Sequence, residues 1–218
     1  MKIQTAIVSL ASTLVFLGLA AWPYGGVTPF LAHPARLALV VVAAAGLVAA
    51  FFSNTSGLSS GAREDRRNRW ILAPLGILSL GIGLLPSWSD SHQVWVIDGD
   101  TTRYIGVVLF AIGLVLRLAP TFILGRRFSG LVAIQPDHIL ETKGLYRHIR
   151  HPSYLGLLLS LIGWSLVFRS LLGMFMVLGI LWLLVCRMNS EETLLAEQFG
   201  ESYDSYRNRS WRLIPYLY

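Results

Sequence analysis

Apolar residues fill this chain in blocks of membrane length, separated by short polar segments, and that alternation sets the expected architecture. Candidate spans fall at about 3–22, 35–52, 70–86, 104–124, 154–168 and 171–188. The last two are short and joined only by Arg169-Ser170, which predicts a tight helical hairpin. Beyond Arg187, Leu195, Phe199, Tyr203 and Tyr206 recur at spacings of four, four and three. That is one face of an amphipathic helix lying at the interface or capping the bundle, and Pro215 stops any continuation. Between the spans, 53–69 reads as a Ser/Gly/Asn-rich loop ending in a charge run, and 87–102 as a turn-rich outer connection. No strand–helix alternation or internal repeat is visible. The fold class expected is all-α: a polytopic transmembrane bundle of about six spans with a C-terminal amphipathic helix, forming a single integral membrane domain. The first span has a second reading as a signal peptide, because Lys2 precedes it and Gly18-Leu-Ala20 resembles a cleavage site. Its apolar run is longer than a typical signal core.

Composition supports lipid as the solvent. Hydrophobic residues make up 54% of the chain and charged residues 14%, against roughly 25% charged in soluble domains. The net charge of +6 then reads as a basic membrane rim rather than a nucleic-acid surface. With the N-terminus in the cytoplasm, the inner loops collect Arg63, Arg66, Arg67, Arg69, Arg126, Arg127, Lys143, Arg147 and Arg150, and the tail adds Arg207, Arg209 and Arg212. The outer loops hold Arg36, Arg103 and Arg169 beside Asp90, Asp98 and Asp100. This positive-inside asymmetry places both termini and both polar clusters on the cytoplasmic side. The single cysteine, Cys186, and five histidines without ligand spacing give no reason to expect a disulfide or a metal site.

Candidate chemistry lies in two places. The segment from His138 to Gly156 packs histidines, arginines and tyrosines directly against an apolar run, and a second polar cluster runs from Arg187 to Glu192. Ionisable groups kept at a membrane surface mark functional sites. Pro152 disfavours helical geometry at His151 and suits the first position of a helix. His151 then sits at a helix entry whose free amides bind a carboxylate, and Tyr154 either reaches the same pocket or serves as an interfacial anchor. Arg117, flanked by Leu116 and Leu118 deep in the fourth span, lines a cavity or pairs with a carboxylate from another helix.

His138-x-Leu140-x-Thr-x-Gly144-x-Tyr146, followed by Arg150-His-Pro-Ser-Tyr154-x-Gly156, resembles the signature of the isoprenylcysteine carboxyl methyltransferases and related phospholipid methyltransferases. The likeness continues through Glu191-Glu192, Phe199-Gly200, Tyr203 and Tyr206 to Ile214-Pro215. It covers about residues 125–216, so 125–218 is expected to be the cofactor-binding catalytic region and 1–124 the N-terminal transmembrane helices. The resemblance implies S-adenosyl-L-methionine held by helix ends and loops, since no Gly-x-Gly-x-x-Gly follows a strand. It implies a lipophilic acceptor entering from the membrane lipid, a prenylated cysteine carboxylate above all. It assigns His138, Leu140, Tyr146, His151, Tyr154, Glu191 and Glu192 to the cofactor, without separating the two glutamates.

An ionised carboxylate needs no general base, only a cation to draw it from water. An arginine fork binds it with two nitrogens. Arg150 is the first candidate for that role, with Arg117 a second substrate-binding arginine, and Glu192 joins Arg150 as catalytic. Arg126 and Arg147 read as rim charges and His148 as exposed. Two other functional classes remain open at this point. One is a membrane reductase of the sterol reductase type using a nicotinamide cofactor. The other is a small transporter or structural membrane protein, for which Arg117 is the supporting feature.

Overall fold

The computed structural model describes residues 3–53, 61–135 and 139–218. Its helices are α1 (Ile3–Ala21), α2 (Val27–Leu31), α3 (Pro34–Phe51), α4 (Leu72–His92), α5 (Asp100–Leu124), α6 (Pro152–Val167), α7 (Leu171–Phe199) and α8 (Glu201–Arg207). Among the described residues, the strands are a two-residue antiparallel ribbon, β1 (Arg63–Glu64) against β2 (Ala133–Ile134). The expected all-α bundle is therefore what forms. Among the described residues, five helices are long and apolar enough to cross a membrane. The sixth apolar helix, α6, has 16 residues, about 24 Å at 1.5 Å per residue, short of a full crossing at about 30 Å. Large apolar side chains such as Ile77, Val108, Val115, Phe175 and Trp182 are exposed on the flanks, as helices solvated by acyl chains require.

Small residues set the packing. A Cβ at Gly156 would stand 2.3 Å from the Arg117 backbone nitrogen, and one at Gly163 would stand 2.4 Å from that of Phe110. Gly106 and Gly113 face them with equally little room. α5 and α6 thus touch backbone to backbone, as small-residue seams allow in membranes. Trp164 of α6 fills the centre beside Phe16, Phe110 and Phe168, and its indole N–H donates to the Ile82 carbonyl at 2.9 Å.

Several sequence expectations change. α4 does not stop at 86: it runs through Pro86 to His92, and only 93–99 connects it to α5. Arg36 and Arg103 are not outer-loop charges but buried side chains, and with Arg169 they converge on the buried carboxylate of Asp90. Arg103 spans both Asp90 oxygens at 2.8 and 2.9 Å, Arg169 Nη2 reaches Oδ1 at 2.9 Å, and the Tyr24 hydroxyl also donates to Asp90. This latch joins the α1–α3 turn, α4, α5 and the α6–α7 turn at one end of the bundle, so polar residues at 87–90 signal a buried cluster rather than a loop. α7, finally, continues past 188 to Phe199. The predicted amphipathic face is therefore shared between the end of α7 and the short α8, which turns away at Gly200 (φ 51°).

Candidate functional site

At the end opposite the Asp90 latch, the start of α6 and the last turns of α7 enclose a cavity of about 190 Å³ with the 125–150 connection and α8. Gly144, at φ 58°, makes the turn that brings Tyr146 to its wall. His151 precedes the helix as its cap residue, with Pro152 in the first helical position, as the dipeptide predicts. Leu140, Tyr146, Arg150, His151, Tyr154 and Glu191 all line the cavity, as does Arg117. His138 lies outside the described residues. The lining also includes Leu72 and Leu75 of α4, so the N-terminal helices take part in the wall. His148, Arg126 and Arg147 are exposed, in keeping with the sequence.

The two glutamates separate clearly. Glu191 lines the cavity, and its Oε2 accepts from the Tyr154 hydroxyl at 2.7 Å. Glu192, 5% exposed, turns the other way. Its Oε1 accepts from Arg150 Nε at 2.9 Å and lies 3.1 Å from His151 Nε2, while its Oε2 accepts from Arg212 Nε and Nη2 at 3.1 and 2.8 Å. With four donors around it, Glu192 has no acceptor capacity left for a ribose hydroxyl. The cofactor and catalytic roles expected of it meet a carboxylate already spent on organising its neighbours. Because an ionised carboxylate only accepts, His151 Nε2 is the donor to Glu192, and Nδ1 lies 3.9 Å from Glu191 Oε2.

Arg150 is likewise largely committed. Besides Glu192, its Nη1 donates to the carbonyls of Arg207 and Ser210. Two-nitrogen capture of an acceptor carboxylate by this fork is therefore closed, and only Nη2 stays without a partner among the described residues. The tail that holds Arg150 also pairs with the backbone of that segment: Arg150 N and His151 N donate to the carbonyls of Trp211 and Arg212 at 2.8 and 3.0 Å. Arg212, counted in the sequence only among the positive charges of the tail, is thus part of the scaffold.

Arg187 was visible in sequence only as the edge of a polar cluster. It lines the cavity, donates from Nε to the Tyr154 hydroxyl at 2.8 Å and from Nη2 to the Gly130 carbonyl. The signal that could have found it is its place one turn before Glu191, on the same helical face. Arg117 has one partner, Ser153 Oγ at 2.6 Å from Nη1, and no carboxylate within ion-pair distance among the described residues. Its charge and that of Arg187 oppose one another. Burial pushes the Tyr206 hydroxyl up to about 12 and those of Tyr146 and Tyr203 higher still, with Glu191 and Glu192 respectively adding to the upward shift. All three are neutral hydroxyl groups across the physiological range.

Fold and site together define an integral membrane helical protein with an arginine-lined polar chamber at one end, continued by leucines of α4, α6 and α7 toward the bundle interior. The model of the isoprenylcysteine carboxyl methyltransferase family matches residues 105–197. The chain is 33% identical over 96 residues to a protein-S-isoprenylcysteine O-methyltransferase of Schizosaccharomyces pombe, covering 43% of this chain and 41% of that protein. It is 28% identical over 144 residues to the Dictyostelium discoideum enzyme of the same name (63% and 60%) and 32% identical over 116 residues to that of Saccharomyces cerevisiae (52% and 48%). The chain thus spans about two fifths to three fifths of the length of these relatives.

Proposed function

We propose that this protein is an integral membrane methyltransferase that uses S-adenosyl-L-methionine to O-methylate a lipophilic carboxylate, of the prenylated cysteine kind, to its methyl ester. The observation that carries this reading is an imbalance of charge facing one cavity. Arg117, Arg127 and Arg187 line it, and against them stand the carboxylates of Glu141 and of Glu191, the latter reached through the Tyr154 hydroxyl. Arg117 keeps Nε and Nη2 without a partner among the described residues, and Arg187 keeps Nη1. Two guanidinium groups in a poorly solvated site are costly unless an anion joins them. An acceptor carboxylate supplies that anion, while Leu72, Leu75, Leu157 and Leu184 on the same wall take its hydrocarbon. The similarity to the named methyltransferases supports the same acceptor class.

The residues present suit the cofactor. Glu191 offers a carboxylate for hydroxyl or amino groups, His151 has Nδ1 facing the chamber, and Tyr146 and Tyr154 contribute aromatic wall. His138 belongs to the same proposed set. When bound, S-adenosylmethionine supplies a methyl group on a sulfonium, and the surrounding side chains need only orient the acceptor in line and keep water out. Orientation of this kind is worth up to about 7–11 kcal/mol in ideal intramolecular cases. Arg63, Arg66, Arg69, Arg126, Lys143 and Arg209 all belong to segments at the chamber end, which supports a cytoplasmic chamber by the positive-inside rule.

Calorimetric titration of the detergent-purified protein with S-adenosylhomocysteine, with a nicotinamide dinucleotide as comparison, tests the class. Micromolar binding of the first alone is the expected result, followed by esterification of a prenylcysteine analogue. Binding of the nicotinamide alone refutes the proposal.

A further inference from the structure

Past α8 the chain carries an apolar tip that no span accounts for. Ile214 is exposed, Tyr216 is 89% exposed and Leu217 77%. Exposed apolar side chains on the spans are covered by acyl chains. These three lie beyond the last helix, where a contiguous apolar tip marks an interaction surface. The tip is built to stay in place. Leu213 N and Ile214 N donate to the Tyr218 backbone oxygen at 2.9 and 3.1 Å, and Tyr218 N returns to the Ile214 carbonyl at 3.0 Å, closing the stretch on itself. Tyr216 sits at φ 66°, a left-handed conformation unfavourable to a bulky residue, with its ring 4.6 Å from that of Trp211. Backbone strain that keeps a tyrosine outside points to a partner there.

Two observations fix the depth of the tip. Leu213 belongs to the buried core with Leu184 and Met188 of α7, and Arg212 Nη1 donates to Asn189 Oδ1 at 2.9 Å. Asn189 follows the apolar part of α7, so the tip stands level with the point where α7 leaves the hydrocarbon layer. Charge then selects the partner. Arg209 lies two residues before Trp211, and Arg147 adjoins the His148 carbonyl that accepts from Trp211 N at 2.9 Å. Both arginines are exposed and have no ion-pair partner among the described residues. On α8, Asp204 pairs with Arg207 at 3.4 Å, which leaves Glu201 to set against them. An aromatic and aliphatic tip beside unpaired arginines at headgroup depth has the composition of an anchor on anionic lipid. We propose that residues 211–218 form a foot on the anionic surface of the protein's own bilayer. Ile214, Tyr216 and Leu217 enter the headgroup layer, and Arg147 and Arg209 meet lipid phosphate. The foot is tied to the chamber, because Arg212 Nη1 also donates to the Tyr218 hydroxyl at 2.9 Å while Nε and Nη2 hold Glu192. Docking therefore steadies the carboxylate that organises Arg150 and His151. This goes beyond the methyltransferase reading and does not depend on it.

The test places a nitroxide on Leu217→Cys in a Cys186→Ala background, with the whole protein in nanodiscs of phosphatidylcholine alone or mixed with phosphatidylglycerol. Collision with oxygen and with a water-soluble nickel chelate reads whether the label is docked or free. The docked fraction should be larger in the anionic discs and fall in high salt. Arg147→Gln and Arg209→Gln should each lower the docked-to-free ratio about five-fold, the weight of one basic residue near an anionic surface. Without the label, the parent should melt higher in anionic than in neutral discs. That gain should vanish in the Tyr216→Ser, Leu217→Ser double variant, which should match the parent in neutral discs because both side chains are exposed. A label open to nickel in both lipids overturns the foot, as does docking indifferent to lipid charge. Shielding that appears only with two copies per disc makes a second copy the occupant and overturns it too. A double variant that keeps the anionic gain overturns the tie to the chamber.

Discussion

Replacing each of the adjacent glutamates by alanine should produce opposite phenotypes. Glu192 holds Arg150, whose side chain is 9% exposed, and Arg212, 25% exposed, and it orients His151. Glu192→Ala leaves both cations without their carboxylate in a site that water reaches poorly. Breaking a buried pair from one side costs about 3–5 kcal/mol. Arg212 recovers some hydration, so a value of about 3–4 kcal/mol is reasonable on the same basis. At about 2–4 °C per kcal/mol for chains of this size, the melting temperature in detergent should fall by about 6–16 °C. Affinity of the folded fraction for S-adenosylhomocysteine should fall less than in Glu191→Ala, because Glu192 acts on a ligand only through the neighbours it holds, His151 among them. Glu191→Ala removes a single hydrogen bond, from Tyr154, whose hydroxyl still accepts from Arg187. Its melting temperature should move by only a few degrees while affinity falls about ten-fold, the scale of a hydrogen bond to a charged group. Thermal unfolding followed by tryptophan fluorescence, with calorimetric binding below the transition, measures both quantities. A Glu192→Ala protein that melts like the parent yet has lost cofactor affinity would refute the division of labour.

Other outcomes follow from the same geometry. Gly156→Ala should lose about 1–3 kcal/mol through overpacking, because its Cβ meets the Arg117 backbone, whereas Gly76→Ala, with nothing within 4 Å, should be neutral or stabilising; denaturant titration distinguishes them. Asp90→Asn should destabilise by about 3–5 kcal/mol, since Arg36, Arg103 and Arg169 lose their shared carboxylate, while cofactor affinity of the folded protein stays unchanged in calorimetry. Arg117→Met should raise the KM for a prenylcysteine acceptor about ten-fold or more and leave the Kd of S-adenosylhomocysteine unaltered.

Much of the architecture was legible because a membrane helix advertises itself by length and apolarity alone. The helix start at Pro152 was legible too, since proline acts on the backbone within one residue. The chain beyond 188 was harder. Met188-Asn-Ser-Glu-Glu-Thr193 marks where the chain leaves an apolar environment, but helical hydrogen bonding does not depend on that boundary, and α7 stops only where Gly200 turns the backbone. Adjacent glutamates point about 100° apart on a helix of 3.6 residues per turn. Which one faces the cavity depends on how α7 is rotated against α6 and the tail. Arg212, twenty residues beyond Glu192, could not be matched to it by local spacing. The ribbon joining Arg63 to Ile134 is two residues long, too short to leave a pattern.

Arginines at the two ends of the bundle differ in how fully their nitrogens are paired, and that difference separates a structural charge from one proposed to meet a ligand. At the latch, Arg36 spends Nε on the Phe30 carbonyl, Nη2 on that of Pro29 and Nη1 on Asp90. Arg103 spends all three nitrogens on Asp90, Asp100 and the Val167 carbonyl. Such side chains are satisfied whatever else happens, and their removal is a matter of folding. Around the chamber the same residue type is left partly unspent: among the described residues, Arg117 has two nitrogens without a partner, Arg150 and Arg187 one each. Sequence gives no access to this difference, because Arg103 and Arg117 both sit in the same apolar helix and carry the same expected cost. It comes from counting donors against acceptors in the folded protein, and it ranks Arg117 above Arg150 for the proposed acceptor carboxylate, reversing the order the motif alone suggested.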